Sequence, residues 1–268
     1  MKKSRILTII SVIVFLSGAL MVSYPYIAEY VNGLSRSQAV ADYDGISDRM
    51  EKSRLKQILQ NAQEYNKRLF ETGIQGEDYN RQLDVSGNGM MGYIEIPKIN
   101  CILPVFHSTD EKIMQNSVGH LAESSLPVGG ENTHSVLSAH RGELSSRLFT
   151  DLDRLATGDI FIIKVLGESL AYEIESIITV LPEQTETLSI QQGKDLCTLV
   201  TCTPFGINTH RLLVRGHRIE YKNTAVSREE SQLTESALII VLLGMVLIVV
   251  CILAVMTVRR FCRDKAQR

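Results

Sequence analysis

Two long uncharged stretches set the first limit on how this chain can fold. Residues 6–27 and 237–258 contain no Asp, Glu, Lys or Arg. As helices, each is long enough to cross a hydrocarbon layer of about 30 Å. Lys and Arg residues flank each stretch on its outer side, at 2, 3 and 5 and at 259, 260, 263, 265 and 268. Because basic residues concentrate on the cytoplasmic side of membranes, we expect two membrane helices, both termini in the cytoplasm and the region between them outside the cell.

The first stretch also has the basic start and apolar centre of a cleaved signal peptide. Its end, Ser-Gly-Ala-Leu-Met-Val-Ser-Tyr-Pro, is a poor small-x-small cleavage site, which favours a retained anchor. The chain is therefore divided into a tail and anchor at 1–27, a helical or lid region at 28–91, a β-rich domain at 92–222, a polar linker at 223–235, a membrane helix at 236–258 and a basic tail at 259–268.

The region between the two stretches is acidic. The tails hold eight of the 28 Lys and Arg residues but one of the 30 Asp and Glu residues, so the remainder has a net charge of about −9. Proteins that bind nucleic acid or anionic surfaces need a basic face. We therefore expect no nucleic-acid partner.

Short β-like runs separated by turn residues dominate residues 92–222. They lie at 93–96, 101–106, 134–139, 160–165, 170–181, 196–202 and 211–221. This spacing predicts a mainly β fold, either a barrel or a sandwich. One helix is predicted inside it at 143–155, where Leu144, Leu148, Leu152 and Leu155 share one helical face.

An amphipathic helix is predicted before the β-domain. Between residues 46 and 70, apolar side chains recur every three or four positions, and we expect this stripe to pack on the β-domain. Asp48 and Glu51 have the spacing of a capping box at its start. Residues 28–45 are interpreted as the exit from the membrane, and residues 71–91, rich in Gly, Asp and Asn, as a long loop.

Three residues at the ends of β-like runs have side chains that are reactive or charged. Cys202 ends one run, Arg211 begins the next after a turn containing Pro, Gly and Asn, and His140 ends an apolar run far earlier. A thiol near a histidine or arginine is favoured as the nucleophilic thiolate, histidine exchanges protons, and arginine stabilises an oxyanion. The alternatives are a buried structural thiol, a core histidine and a surface ion pair. Cys101 and Cys197 are interpreted as core residues, and a disulfide between them is left open.

Metal and nucleotide motifs are missing from the sequence. It has no Cys-x-x-Cys, Gly-x-Gly-x-x-Gly, phosphate loop, His-Glu-x-x-His or Gly-x-Ser-x-Gly. We therefore expect no metal and no cofactor.

Thr198-Leu-Val-Thr-Cys202, with Arg211 nine residues later and His140 62 residues earlier, resembles the active-site pattern of sortases. Further segments resemble the pilus-assembling class C branch: Gly92-Tyr-Ile-Glu-Ile-Pro97, Leu126-Pro-Val-Gly-Gly-Glu-Asn-Thr-His-Ser135, Ser138-Ala-His-Arg-Gly142, Leu148-Phe-Thr-Asp-Leu152 and Asn208-Thr-His-Arg-Leu-Leu-Val-Arg-Gly216. The resemblance covers roughly residues 46–222. A second membrane helix after the catalytic domain is also typical of class C.

The resemblance implies a closed β-barrel of about eight strands with short helices, and a transpeptidase activity. Cys202 would attack the Thr–Gly bond of a Leu-Pro-x-Thr-Gly-like sorting signal, His140 would act as acid and base, and Arg211 would hold the oxyanion or substrate. A pilin lysine would resolve the thioacyl-enzyme, so pilins or other surface proteins are the expected partners. Groove residues suggested with them are Ser138, Thr201 and Ile207.

Three other functions share parts of this pattern. A cell-wall-anchoring sortase would use a peptidoglycan-precursor amine as the acceptor. A cysteine hydrolase would release a free threonine carboxyl group. A non-catalytic membrane-tethered domain would bind surface proteins without reacting with them.

A lid over the thiol is a further expectation from class C sortases, many of which place an Asp-Pro-aromatic motif there. This sequence contains no Asp-Pro-Phe, Asp-Pro-Trp or Asp-Pro-Tyr. The nearest acid–aromatic pair is Asp78-Tyr79, within the loop at 71–91. We hypothesise that this pair forms at best a weak lid.

Overall fold

Eight strands close into a barrel in the order β1-β2-β3-β4-β7-β8-β6-β5. The computed structural model describes residues 2–143, 145–221, 244 and 247. The strands are β1 Met90–Ile96, β2 Cys101–His107, β3 Val118–His120, β4 Thr133–Ser138, β5 Ile160–Val165, β6 Glu168–Val180, β7 Asp195–Thr203 and β8 His210–Ile219. The prediction of a mainly β closed barrel is confirmed. Strand β3 was missed because three residues are too few to show alternation.

Most neighbouring strands are antiparallel, but two pairs, β2–β3 and β4–β7, are parallel. Gly119 on β3 shows how tightly the first of these regions is packed. A Cβ atom on this residue would lie 2.5 Å from the backbone oxygen of Ser108, which is too close for a real contact. Glycine fits here because it has no Cβ atom.

Alternate residues of the strands fill the barrel. Leu137 on β4, Leu199 on β7 and Val214 on β8 are at most 1% exposed and belong to one apolar cluster. Because side chains alternate across a strand, the residues between them point to the outer face of the barrel wall. These three strands are thus anchored by an apolar layer inside the barrel.

Three α-helices are described: α1 Lys2–Arg49, α2 Lys52–Thr72 and α3 Glu111–Met114. The apolar stripe of α2 packs on the barrel as predicted, with Ala62, Tyr65 and Leu69 buried. Asn66 reinforces this contact because its side-chain amide donates to the Leu126 carbonyl and accepts from the Leu126 amide.

The predicted helix boundaries around residue 50 are wrong in two respects. Residues 28–49 continue α1, so the predicted exit segment is helical and the helix expected from residue 46 begins only at Lys52. Glu51 is the N-cap of α2, and no side-chain hydrogen bond caps that end. The capping box therefore does not form.

The first apolar stretch lies in α1. A candidate membrane span, Val12–Arg49, contains an 18-residue window of mean hydropathy 1.5, none of it buried. Length and composition fit a membrane anchor, and a signal sequence near an N-terminus passes the same test. The second stretch, apart from residues 244 and 247, lies outside the described residues, as do the predicted linker and basic tail.

The chain forms two compact units, and the barrel belongs to the one that begins at Asn32. Within this unit, Tyr43 of α1 is 1% exposed. Its hydroxyl donates to the Met91 carbonyl at 2.8 Å and accepts from the Leu166 amide at 3.1 Å. Residues 32–49 are therefore part of the folded domain.

The helix predicted at 143–155 is wrong. Turns occupy most of this segment, and only Leu152–Arg154 forms a short 3-10 helix. Leu148 has a positive φ of 36°, which a continuing α-helix does not allow. Leu148, Leu152 and Leu155 are buried nonetheless. Their spacing of three and four residues therefore reflects contacts with the core that turns also provide.

Candidate active site

Strands β7 and β8 bring Cys202 and Arg211 together. The two residues are direct Cα partners in the antiparallel register of this pair. Paired residues of neighbouring strands point to the same face, with Cβ atoms roughly 4.5–5.5 Å apart. The hairpin predicted from the sequence therefore forms, and it places a thiol and a guanidinium side by side.

Strand β4 adds His140 from the other side of β7. The parallel register of β4 with β7 pairs each residue with the one 62 positions later, from Thr133 with Asp195 to Ser138 with Val200. Extended by two residues, this register sets His140 beside Cys202. Two hydrogen bonds support this extension. The Ala139 amide donates to the Val200 carbonyl at 3.2 Å, and the Thr201 hydroxyl donates to the Ala139 carbonyl at 2.8 Å.

Alternation along β7 and β8 puts Cys202 and Arg211 on one face of the barrel wall. Leu199 of β7 points into the barrel, so Cys202, three residues later, points outward. His140 follows two residues after the end of β4, on the other side of β7. All three residues are half-buried, which leaves each of them open to a substrate at the barrel surface. We refer to His140, Cys202 and Arg211 as the row.

The turn between β7 and β8 shapes the Arg211 end of this row. Gly206 and Asn208 have φ values of 74° and 62°, in the left-handed region that glycine and asparagine tolerate best. This conformation turns carbonyl groups toward the arginine. Arg211 Nη1 donates to the Asn208 and His210 carbonyls, at 3.2 Å each. The guanidinium is therefore held by its own turn at one corner.

The three predicted groove residues lie around the row in different ways. Ser138 is half-buried at the end of β4, two residues before His140. Thr201 is 1% exposed, and its hydroxyl donates a hydrogen bond to the Ala139 carbonyl. Ile207 is 67% exposed on the β7–β8 turn. Ser138 and Ile207 border the site, whereas Thr201 stabilises the wall behind it.

Sequence reasoning missed a contact that joins the two loops at the site. Phe205, on the β7–β8 turn, lies under the guanidinium of Arg141 at 5.9 Å from ring centroid to Cζ. A Cβ atom on Gly142 would lie 3.2 Å from the same ring, so a bare backbone is needed there. Arg141 also pairs with Asp153. The Ala-His-Arg-Gly sequence was the available signal, because it placed an arginine and a glycine directly after His140.

Glu111, the first residue of α3, was also missed. Its Oε2 lies 3.4 Å from Nε2 of His140. No periodicity or spacing marks this residue, since it is 29 positions away in sequence. The contact exists only because the segment after β2 returns to the end of β4.

The residues proposed as a lid contact other groups. The Tyr79 hydroxyl lies 2.9 Å from Nδ1 of His120, and its ring packs edge-on against His107. Asp78 accepts from Arg68 at 2.9 Å and from Gln82 at 2.8 Å. Tyr79 is therefore a core residue beside α2, and its contacts are satisfied without Cys202.

The other two cysteines of the barrel behave as predicted for structural thiols. Cys197 is fully buried, and its burial raises the pKa of the thiol well above the ordinary range. Cys101 is half-buried and donates weakly to the Leu148 carbonyl at 3.8 Å. Neither forms a disulfide, so the open question of a Cys101–Cys197 disulfide is answered against it.

Two buried histidines are held in closed networks away from the row. Burial lowers the pKa of His120 to about 4, and its Nε2 lies 2.8 Å from the Ser125 carbonyl. Burial also lowers the pKa of His134, whose ring nitrogens lie 3.0 Å from the Ser189 carbonyl and 2.7 Å from the Thr198 hydroxyl. Both imidazoles are thus fixed as neutral structural groups.

The described residues contain no group of three His, Cys, Asp or Glu side chains arranged to hold a metal ion. A thiol flanked by an imidazole and a guanidinium at half-buried strand ends instead fits nucleophilic acyl transfer. The fold and the site together define a cysteine enzyme built on a closed β-barrel.

Comparisons with known proteins identify the family to which this enzyme belongs. The model of the sortase domain matches residues 94–219. Sortase C1 from Streptococcus agalactiae is 49% identical, with a TM-score of 0.67 over 69% of this chain and 100% of that chain. Sortase C from Streptococcus pneumoniae, described for its pilin substrate specificity, is 42% identical, with a TM-score of 0.64 over 69% and 97% of the two chains. The chain therefore belongs to the sortase family of cysteine transpeptidases, and these structural matches are class C sortases.

Relatives beyond class C are less similar in sequence. Sortase D from Bacillus subtilis is 33% identical over 131 residues, which is 48% of this chain and 63% of that protein. Sortase A from Bacillus anthracis is 25% identical over 230 residues, 83% of this chain and 99% of that protein. The barrel is thus shared across sortase classes, and the higher identities fall among class C structures.

Proposed function

We propose that this chain is a pilin-polymerising transpeptidase. It cleaves a Leu-Pro-x-Thr-Gly-like sorting signal between Thr and Gly and transfers the acyl group to a pilin lysine. The observation that supports the proposal is the strand register, which pairs Cys202 directly with Arg211 and, if continued two residues past Ser138, sets His140 on the other side of Cys202. The class C identity of the structural neighbours supports pilin as the substrate class.

In the first half-reaction, the thiolate of Cys202 attacks the threonine carbonyl carbon. Negative charge moves to the carbonyl oxygen, where the Arg211 guanidinium donates hydrogen bonds, and arginine keeps its charge at any physiological pH. His140, as imidazolium, gives its proton to the glycine nitrogen as the C–N bond breaks. The products are a thioester on Cys202 and a free glycine amine.

In the second half-reaction, a neutral lysine amine attacks the thioester carbonyl. His140 accepts the proton that the amine loses, the C–S bond breaks, and the thiolate is restored. The new bond is an isopeptide bond between two pilins. Water competes as the acceptor, and its product is a free threonine carboxyl group.

We also propose that the barrel works outside the cell membrane, with both termini in the cytoplasm. The apolar part of α1 and the basic residues at its start support the first anchor. The uncharged stretch 237–258 and the basic residues after it support the second. Protease treatment of intact cells should remove an epitope tag inserted between the stretches and spare tags at either terminus.

Mass spectrometry tests the chemistry. The full chain in detergent is incubated with a Leu-Pro-x-Thr-Gly peptide and with candidate pilins. We expect an acyl adduct on Cys202 and lysine-linked pilin products. Transfer only to a peptidoglycan-precursor amine would favour cell-wall anchoring, release of a free threonine carboxyl despite abundant amine would favour a hydrolase, and polymer formation in cells by Cys202→Ala would favour a non-catalytic role.

A further inference from the structure

The imidazole of His140 has a carboxylate neighbour that the reaction scheme above does not use. Glu111 Oε2 lies 3.4 Å from His140 Nε2, and the Glu111 side chain is 72% exposed. Nε2 itself is buried and makes no hydrogen bond within the described part of the chain. The carboxylate therefore covers a nitrogen that bears a positive charge whenever the imidazole is protonated.

A buried arginine fixes the segments that carry both partners. Arg36 of α1 is 8% exposed. Its Nη1 donates to Asn116 Oδ1 at 2.8 Å, just after α3, and to the Ser146 hydroxyl at 2.7 Å, in the loop that follows His140. The Ser146 hydroxyl in turn donates to Asn116 Oδ1 at 3.2 Å. The turn after α3 and the loop after β4 are thus tied together, which fixes Glu111 relative to His140.

We propose that Glu111 is a positioning residue for His140. Its carboxylate orients the imidazole and stabilises the imidazolium that forms when the Cys202 thiol loses its proton. The S–H bond breaks, an N–H bond forms on His140, and the resulting positive charge lies beside a negative one until the leaving amine takes the proton. This role rests on the proposed function of His140 as acid and base.

Other charged or titratable groups reach the same end of the barrel. Cys202 and Arg211 approach from β7 and β8, and Arg141 follows His140 in the chain. Arg141 is engaged by Asp153, and Arg211 by the carbonyls of its own turn. Glu111 supplies the negative charge in contact with the imidazole, so its removal changes the charge at His140 most directly.

Glu111→Gln in the full chain tests the proposal because it keeps the shape and removes the charge. Acylation by a Leu-Pro-x-Thr-Gly peptide is measured from pH 5 to 9. We expect kcat to fall roughly fivefold with KM unchanged, since exposed ion pairs contribute modestly. The alkaline limb of the rate profile should move to lower pH, because the imidazolium loses its partner.

Two variants accompany this measurement. Glu111→Asp keeps the charge and should recover most of the rate and the original pH profile. Glu131→Gln removes an exposed carboxylate near the opposite end of β4 and should behave like the unchanged protein. A profile shift of equal size in Glu131→Gln would mean that net charge alone is responsible and would overturn the proposal.

The outcomes separate this inference from the proposed function. An unchanged kcat and profile in Glu111→Gln, together with an inactive His140→Ala, would overturn the role of Glu111 alone. A raised KM with unchanged kcat and profile would also overturn it and would assign Glu111 to substrate binding. Full activity in His140→Ala would instead overturn the proposed function of the row.

Discussion

The two ends of the β4–β7 pair carry the same residue types in different surroundings. At the closed end, His134 and Cys197 lie within one position of each other across the register, and both are fully buried. At the open end, His140 and Cys202 are half-buried. Burial raises the pKa of the Cys197 thiol and lowers that of the His134 imidazole, so both groups are held neutral. The difference shows that burial, and not residue type, separates the two structural groups from the two groups at the site.

Exchange of each cysteine for alanine should give the largest difference between the two ends of the β4–β7 pair. We expect Cys202→Ala to lower acyl transfer by at least about 10⁴-fold, because the nucleophile is lost. Cys197→Ala should remain active and lose about 1 kcal/mol of unfolding free energy, through a small cavity. Adduct formation by mass spectrometry and urea unfolding check the two results. An active Cys202→Ala, or an inactive but folded Cys197→Ala, would contradict the assignment.

Arg211→Lys should lower kcat/KM for acylation by about 10²–10³-fold, because a lysine ammonium cannot reproduce the fork of donors at the oxyanion. Arg215→Lys, four residues along β8, is the matched control. Arg215 pairs with Glu175 at 2.7 Å, a contact that lysine can keep, so its rate should change little. Equal losses in the two variants would argue against a special role for Arg211.

Substitution of the two histidines should separate stability from rate. His134→Ala removes the two hydrogen bonds that the buried imidazole makes and should lower the unfolding free energy by about 2–3 kcal/mol. His140→Ala should abolish transfer yet change the unfolding free energy by less than about 1 kcal/mol, because the side chain is half-exposed. Urea unfolding and peptide acylation measure both quantities. A large stability loss in His140→Ala would place this histidine with the structural ones.

The buried histidines also predict how stability depends on pH. His120 titrates near 4 in the folded barrel and near its ordinary 6.5 when unfolded. The unfolded chain therefore binds more protons between these values. The contribution of His120 to the free energy of unfolding is fully present above about pH 6.5 and is lost as the pH falls toward 4. We expect a loss of about 2 kcal/mol between pH 7.5 and 5.

His120→Asn supplies the check on that pH dependence. The variant should be less stable at neutral pH, because the bonds to Tyr79 and Ser125 are disturbed. Its unfolding free energy should also fall less steeply between pH 7.5 and 5. A slope as steep as that of the unchanged chain would show that other groups govern acid stability.

Much of the site was predictable because its residues lie at strand ends that composition reveals. β-branched and apolar runs marked β4, β7 and β8, and the Pro, Gly and Asn turn marked the hairpin between the last two. The helix at 143–155 was predicted wrongly because leucines four residues apart also suit a series of turns that contact the core. Glu111 was missed because it follows no run and lies beside His140 only after β2, α3 and β3 have folded.

The sequence by itself determined seven of the eight strands of the barrel, the amphipathic face of α2 and the three candidate residues of the row, because periodicity and turn chemistry are local properties. The tertiary structure alone decided which histidine and which cysteine face outward, that Tyr79 belongs to the core, and that Glu111 contacts the imidazole. These outcomes depend on strand register and chain return, which bring together residues tens of positions apart. No local pattern records such contacts.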